Sequence, residues 1–172
     1  MGAEMRSDVD RRVVLLGVGN ILLSDEGVGV RIVEAFAARH DLPDWVQVLD
    51  GGTCAMEMLE DLENLDLLVI ADCVRVCAEP GSLVVLEDDQ VPAFFRTKLS
   101  PHQVGLSDVL ATLHLTGRAP RKVVVIGVQP VSMSLGMELT EPVRSLLPVA
   151  VARIESILAA KKVPLDALRE AA

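Results

Sequence analysis

Aromatic residues are nearly missing from this chain: three Phe, one Trp and no Tyr in 172 residues. Val, Leu, Ile, Ala and Met must therefore fill any core. Three cysteines, Cys54, Cys73 and Cys77, give neither an even disulfide framework nor a C-x-x-C site. No apolar run approaches the roughly 20 residues that span a bilayer, and Met1 to Arg12 is polar with no apolar signal region. The expected location is the cytoplasm, with no membrane partner. Basic residues are also scarce: 16 Lys and Arg stand against 25 Asp and Glu, a net charge of −9. That balance excludes non-specific nucleic-acid binding, which rests on neutralising phosphates. The chain has no H-E-x-x-H helix, no G-x-S-x-G elbow and no Ser-His-Asp order.

What remains is a chain with 51% hydrophobic residues, too apolar for disorder and of single-domain length. One domain over residues 1–172 is expected, with 1–11 as a polar N-terminal extension. No internal repeat, linker or low-complexity stretch interrupts it.

Strands are predicted at about Arg12–Val18, Trp45–Leu49, Leu65–Ala71, Ser82–Leu86 and Lys122–Val128. Helices are predicted at about Asp25–Arg39, Cys54–Glu63, Ser100–Leu115 and Thr140–Lys161, the last kinked at Pro148. Ser100-Pro101-His102-Gln103 reads as a helix start with a capping box, and Gly117 as its stop. About ten residues separate the third and fourth strands, too few for a helical crossover, so the fourth is expected to run antiparallel. Gln129 to Leu139 is a loop bearing Met and Ser. The class is α/β: a three-layer α/β/α sandwich around a mostly parallel five-stranded sheet.

The most informative segment is Val13 to Gly27: a buried strand, a glycine turn and an acidic helix start. It is not a dinucleotide fingerprint, because Leu22 occupies the place of the third glycine in G-x-G-x-x-G. Asp25 and Glu26 would repel a pyrophosphate at that helix start. Carboxylates on a loop at a strand's carboxyl end suit a cation instead. Asn20 to Glu26, Asp50 to Thr53, and Asp72 all follow strands at that edge. His102 lies at the second position of its helix, where the dipole disfavours the imidazolium and keeps a neutral ligand. Glu26, Asp72 and His102 thus form a candidate site of two carboxylates and one imidazole, suited to zinc or nickel better than calcium or magnesium.

Plainer roles compete at each position. Asp25 and Glu26 complement a helix N-terminus; Asp72 serves a turn; His102, alone, is structural or exposed. His40 and His114 read as helix-end residues facing the negative dipole end. Gly51 and Gly52 allow a tight turn. Cys73, beside Asp72, reads as a small buried residue rather than a nucleophile.

Four motifs stand in order: Gly17-Val-Gly-Asn-Ile-Leu-Leu-Ser-Asp-Glu-Gly27, Asp50-Gly-Gly-Thr53, Ile70-Ala-Asp72 and Ser100-Pro-His-Gln-Val-Gly-Leu106. Together they resemble the hydrogenase maturation endopeptidases, an aspartyl-type peptidase family, from Val13 to the last helix and including Gly127. The resemblance implies that Glu26, Asp72 and His102 are the metal-contacting and catalytic positions. It implies that Asp50, Gly51, Gly52 and Thr53 contact substrate. It further implies removal of a short C-terminal extension from the precursor of a nickel–iron hydrogenase large subunit, after the last cysteine motif and its terminal basic residue. Nickel would be supplied by the substrate, with zinc or cadmium as substitutes. Oligomeric state stays open, with a monomer as the expectation.

Two mechanisms remain open: a metal that polarises the carbonyl or activates water, or a carboxylate base with the metal only positioning the substrate. The alternative function is a nickel- or zinc-binding maturation chaperone without peptidase activity. A nucleotide-binding oxidoreductase is the weaker third reading.

Overall fold

The computed structural model describes residues 11–53, 55–76, 78–87, 90–92, 101–163 and 165; for residues 55–56 and 101–104 it describes the backbone alone. Five strands form one sheet: β1 (Val13–Val18), β2 (Val46–Gly52), β3 (Leu67–Cys73), β4 (Leu83–Glu87) and β5 (Val123–Val128). Their order is β2-β1-β3-β5-β4. β1 pairs in parallel with β2 and β3, and β3 with β5, whereas β4 runs antiparallel to β5 at the edge. The short link before β4 imposes that direction, since a parallel neighbour needs a longer crossover.

The helices are α1 (Val28–Ala37), α2 (Pro101–Leu115), the single turn α3 (Glu141–Arg144) and α4 (Leu147–Ala160). Strand periodicity sorts the core into two faces. Val13 and Leu15 of β1 pack with Val28, Ile32 and Phe36 of α1 and with Val151, Ile154 and Leu158 of α4. Val14, Leu16 and Val18 pack with Leu106, Val109 and Leu113 of α2. Every residue of β1 and β3 is buried, as a parallel sheet covered on both faces requires. The three-layer α/β/α sandwich is therefore the one expected. Aliphatic burial carries it, at roughly 1.5–3 kcal/mol for each fully buried large side chain.

Several boundaries differ from expectation, each for a local reason. β2 continues through Asp50-Gly51-Gly52, because a bulge keeps it paired: Gly17 lies opposite Asp50 and Val18 opposite Gly52. β3 extends to Cys73, so Asp72 is a strand residue paired with Gly127 rather than a loop residue. The helix expected from Cys54 to Glu63 contracts to a 3-10 turn at Ala55–Met58. The last helix is broken rather than kinked, with Pro148 in the first turn of α4, where its missing N–H removes no helical bond.

α2 stops as expected. Gly117 takes φ 70°, its N–H donates to the His114 carbonyl, and the Arg118 N–H donates to that of Leu113, which is a Schellman cap. Ser100, Cys54, Cys77 and residues 1–10 lie outside the described residues.

Candidate active site

The strand order reverses between β1 and β3, and open parallel sheets bind ligands in the crevice at such a switch. Glu26 enters from a 3-10 turn, Ser24–Gly27, that follows β1. Asp72 sits one residue before the end of β3. Gly29 brings the two segments together: a Cβ there would overlap the carbonyls of Ala71 and Val18. Without that side chain, the first turn of α1 presses onto the ends of β3 and β1. Asp72 is fully buried and Glu26 is 7% exposed. Ionised carboxyls so withdrawn from water are costly unless partners or cations hold them.

The Asp50 turn is fixed to the same place. Gly19, at φ 131°, donates its N–H to the Gly52 carbonyl at 2.9 Å. A Cβ at Gly19 would collide with the Glu26 carbonyl. Only glycine fits both the dihedral and the space, so one residue joins the Asp50 turn to the Glu26 turn. Within the turn, Asp50 Oδ1 accepts the Gly52 N–H at 2.9 Å, while Gly52 takes φ 43°. Gly51 is buried; Asp50 and Thr53 face solvent. Asp50 therefore closes its own turn as well as presenting a charge.

Asp25 and Glu26 are neighbours with different duties. Asp25 is fully buried, and its carboxyl accepts the N–H groups of Val131 at 3.0 Å, Ser132 at 2.9 Å and Thr140 at 2.8 Å. The Thr140 hydroxyl donates to it as well, at 2.9 Å, so Thr140, which precedes α3, does not cap that helix with its side chain. Further bonds join the same segments: the Ser24 N–H to the Gly136 carbonyl at 2.7 Å, and the Gly136 N–H to the Leu22 carbonyl at 2.9 Å. Ser24 holds a left-handed φ of 49°, with its hydroxyl on the Ser134 carbonyl at 3.0 Å. Asp25 is thus the clamp of the 129–140 loop. Sequence reasoning missed this role; the available signal was a long structureless loop inside a compact domain.

Cys73 is a poor nucleophile here. Burial pushes its thiol up to about 12, and the carboxylates of Asp72, Glu26 and Asp25 push in the same direction. It stays protonated at neutral pH, and the thiolate is the reactive form.

His102 is the second residue of α2; its side chain lies outside the described residues. Among the described residues no three His, Cys, Asp or Glu side chains gather to hold a metal. Glu26 and Asp72 offer carboxylate oxygens, the donor type that a divalent cation takes. His40 departs from its expected role at a helix end. It is buried at 7% exposure, with Nε2 at 2.9 Å from Glu155 Oε1 and its ring 4.6 Å from that of Phe36. His114 is exposed in the last turn of α2, as expected.

Known proteins share this architecture. The family model described as hydrogenase maturation protease matches residues 30–157. The hydrogenase 2 maturation protease of Escherichia coli is 49% identical over 150 residues, covering 87% of this chain and 90% of that one. The hydrogenase expression/formation protein HupD of Bradyrhizobium diazoefficiens is 44% identical over 140 residues, covering 80% of this chain and 73% of that one. Among solved structures, the hydrogenase maturating endopeptidase HybD from E. coli superposes with a TM-score of 0.88 at 46% identity, covering 92% of this chain and 98% of that one. The [NiFe] hydrogenase maturation protease HybD from Thermococcus kodakarensis superposes with a TM-score of 0.70 at 26% identity, covering 85% of this chain and 98% of that one.

Proposed function

The chain belongs to the hydrogenase maturation protease family, and from that premise we propose that it cuts the C-terminal extension from the nickel-loaded precursor of a nickel–iron hydrogenase large subunit. Nickel enters as part of that substrate, not as a resident cofactor. Glu26, Asp72 and His102 dock on it, and zinc or cadmium suits the same donors. The Asp50-Gly51-Gly52-Thr53 turn meets the adjoining substrate chain through its solvent-facing Asp50 and Thr53, with Gly51 buried beneath. The enzyme acts as a cytoplasmic monomer; among the described residues no helix is long and apolar enough to cross a membrane.

The observation that supports this site is the burial of Glu26 and Asp72 at the switch crevice. Three ligands from one side leave a coordination shell incomplete, so the substrate's own thiolates complete it. A metal held there would supply charge stabilisation at the scissile carbonyl. The chain supplies the base. With the Cys73 thiol held protonated, a carboxylate of the Glu26/Asp72 pair takes the proton from an attacking water and returns it to the leaving amine as the peptide C–N bond breaks, which is aspartyl-type chemistry. Family membership sets aside the chaperone reading, and Leu22 in the place of a third glycine sets aside the dinucleotide one.

The test is to mix the purified protein with nickel-free precursor, nickel-loaded precursor and a free peptide spanning the cut, and to follow mass. Only the nickel-loaded precursor should shorten. Efficient cleavage of the peptide or of the nickel-free precursor contradicts metal-gated processing.

A further inference from the structure

Six large apolar side chains are strongly exposed among the described residues, and four of them lie on two segments that backbone bonds join around the Glu26 turn. They are Leu22 at 52%, Val131 at 48%, Leu135 at 87% and Met137 at 57%. Leu22 lies on the turn after β1; the other three lie on the loop that Asp25 clamps. The two segments are joined by reciprocal backbone bonds, Gly136 N–H to the Leu22 carbonyl and Ser24 N–H to the Gly136 carbonyl. The loop is also tied to the segment after β3, where Arg75 Nη2 donates to Met133 Sδ at 2.9 Å. The loop of this apolar rim is therefore anchored to the turn that carries Glu26 and to the segment that follows β3, the strand of Asp72.

We propose that this rim is the docking surface for the folded body of the precursor whose C-terminal segment enters the crevice. The proposal rests on the processing function above and names the surface that holds the substrate. The rim is ordered in advance by the Asp25 clamp, so docking on it loses little conformational entropy. Leu and Met side chains adapt to an imperfectly matched partner. Residues 129–140 include one acid, Glu138, and no base, so the contact is apolar rather than charge-steered. Four such side chains expose roughly a few hundred Å², the scale of functional patches on monomers. A lasting dimer of two copies needs about 800 Å² per partner, so a transient protein substrate fits the rim better than a second copy does.

The experiment uses the full chain and nickel-loaded precursor. Leu135→Asp and Met137→Asp are made singly and together. Leu115→Asp is the matched control, since Leu115 is 85% exposed at the far end of α2. The double variant should raise KM about tenfold or more, with kcat within about twofold and an unchanged melting temperature. The control should leave all three unchanged. In parallel, a photoactivatable benzoylphenylalanine at position 135 should give an adduct with the mass of this chain plus the precursor.

Unchanged KM in the double variant overturns the proposal, as does an adduct of two copies of this chain or a crosslink within one chain. The crosslink reports docking whether or not the precursor is cut. An adduct with an uncut precursor therefore refutes the activity but not the surface, while cutting without the adduct refutes the surface but not the activity.

Discussion

At the amino end of the sheet, Arg118 meets Glu63 at 2.6 Å and Arg121 meets Asp66 at 3.6 Å, with all four side chains partly exposed. At the carboxyl end, Asp25 and Asp72 are fully buried and Glu26 nearly so. Asp25 there is satisfied by three backbone N–H groups and a hydroxyl. Exposed pairs of the first kind contribute little to stability, because water screens them and ordering two long side chains costs entropy. Acids of the second kind persist only where the surrounding backbone, or a ligand, is organised around them. The same residue types are thus surface decoration at one end and architecture or chemistry at the other.

Asp25→Ala against Glu63→Ala is the widest expected gap. Removing the Asp25 carboxyl strands the N–H groups of Val131, Ser132 and Thr140, a loss of roughly 3–5 kcal/mol. Glu63→Ala should cost under about 1 kcal/mol. Urea denaturation of both variants measures the difference, and equal losses would break the contrast between the two ends.

Gly29→Ala comes next. Its Cβ would overlap backbone carbonyls of β1 and β3, so α1 must lift off the strand ends. Overpacking of this kind costs roughly 1–3 kcal/mol, and precursor processing should fall with it as Glu26 moves away from Asp72. Native melting temperature together with native processing would mean that α1 does not set the site.

A smaller effect is expected at the solvent-facing turn. Asp50→Asn keeps an oxygen for the Gly52 N–H but removes the charge, so stability should stay within about 0.5 kcal/mol while processing weakens. Asp50→Ala loosens the turn as well and is the less specific probe. Processing at the wild-type rate by the Asn variant would leave the Asp50 turn a purely structural element.

The last contrast, with no effect expected on processing, is the partly buried pair Lys122–Glu87, at 2.8 Å. The side-chain hydrogen bond from Lys122 holds the Glu87 carboxyl below its ordinary value. A carboxyl lowered on folding contributes stability above its unfolded pKa and loses it as pH falls through the folded value. Glu87→Gln should therefore cost under about 1 kcal/mol at neutral pH, and the gap should close in acid. A gap that widens in acid would reverse the sign.

How far the sequence reached follows the same divide. Strands were legible because β1, β3 and β5 are continuous apolar runs, and the direction of β4 followed from a short link. Glu26 and Asp72 were placed at one edge by the rule that parallel sheets bind ligands there. The separate duties of Asp25 and Glu26 were not legible, since adjacent acids differ only in which way the folded chain turns them. Asp25 and Thr140 are 115 residues apart, as are His40 and Glu155, and neither pairing leaves a periodic trace. The apolar rim was not legible for a related reason: Leu135 and Met137 look like loop residues until the backbone bond from Gly136 to Leu22 joins their segment to the turn after β1.

The most direct test compares the mass of nickel-loaded large-subunit precursor after incubation with the wild-type chain and with Glu26→Gln, Asp72→Asn and His102→Ala, each first shown to be folded by its thermal melt. The expected result is a shortened precursor with the wild-type chain and an unaltered mass with each folded variant. Normal shortening by the three folded variants would contradict the assignment of Glu26, Asp72 and His102 as the working groups at the carboxyl end of the sheet.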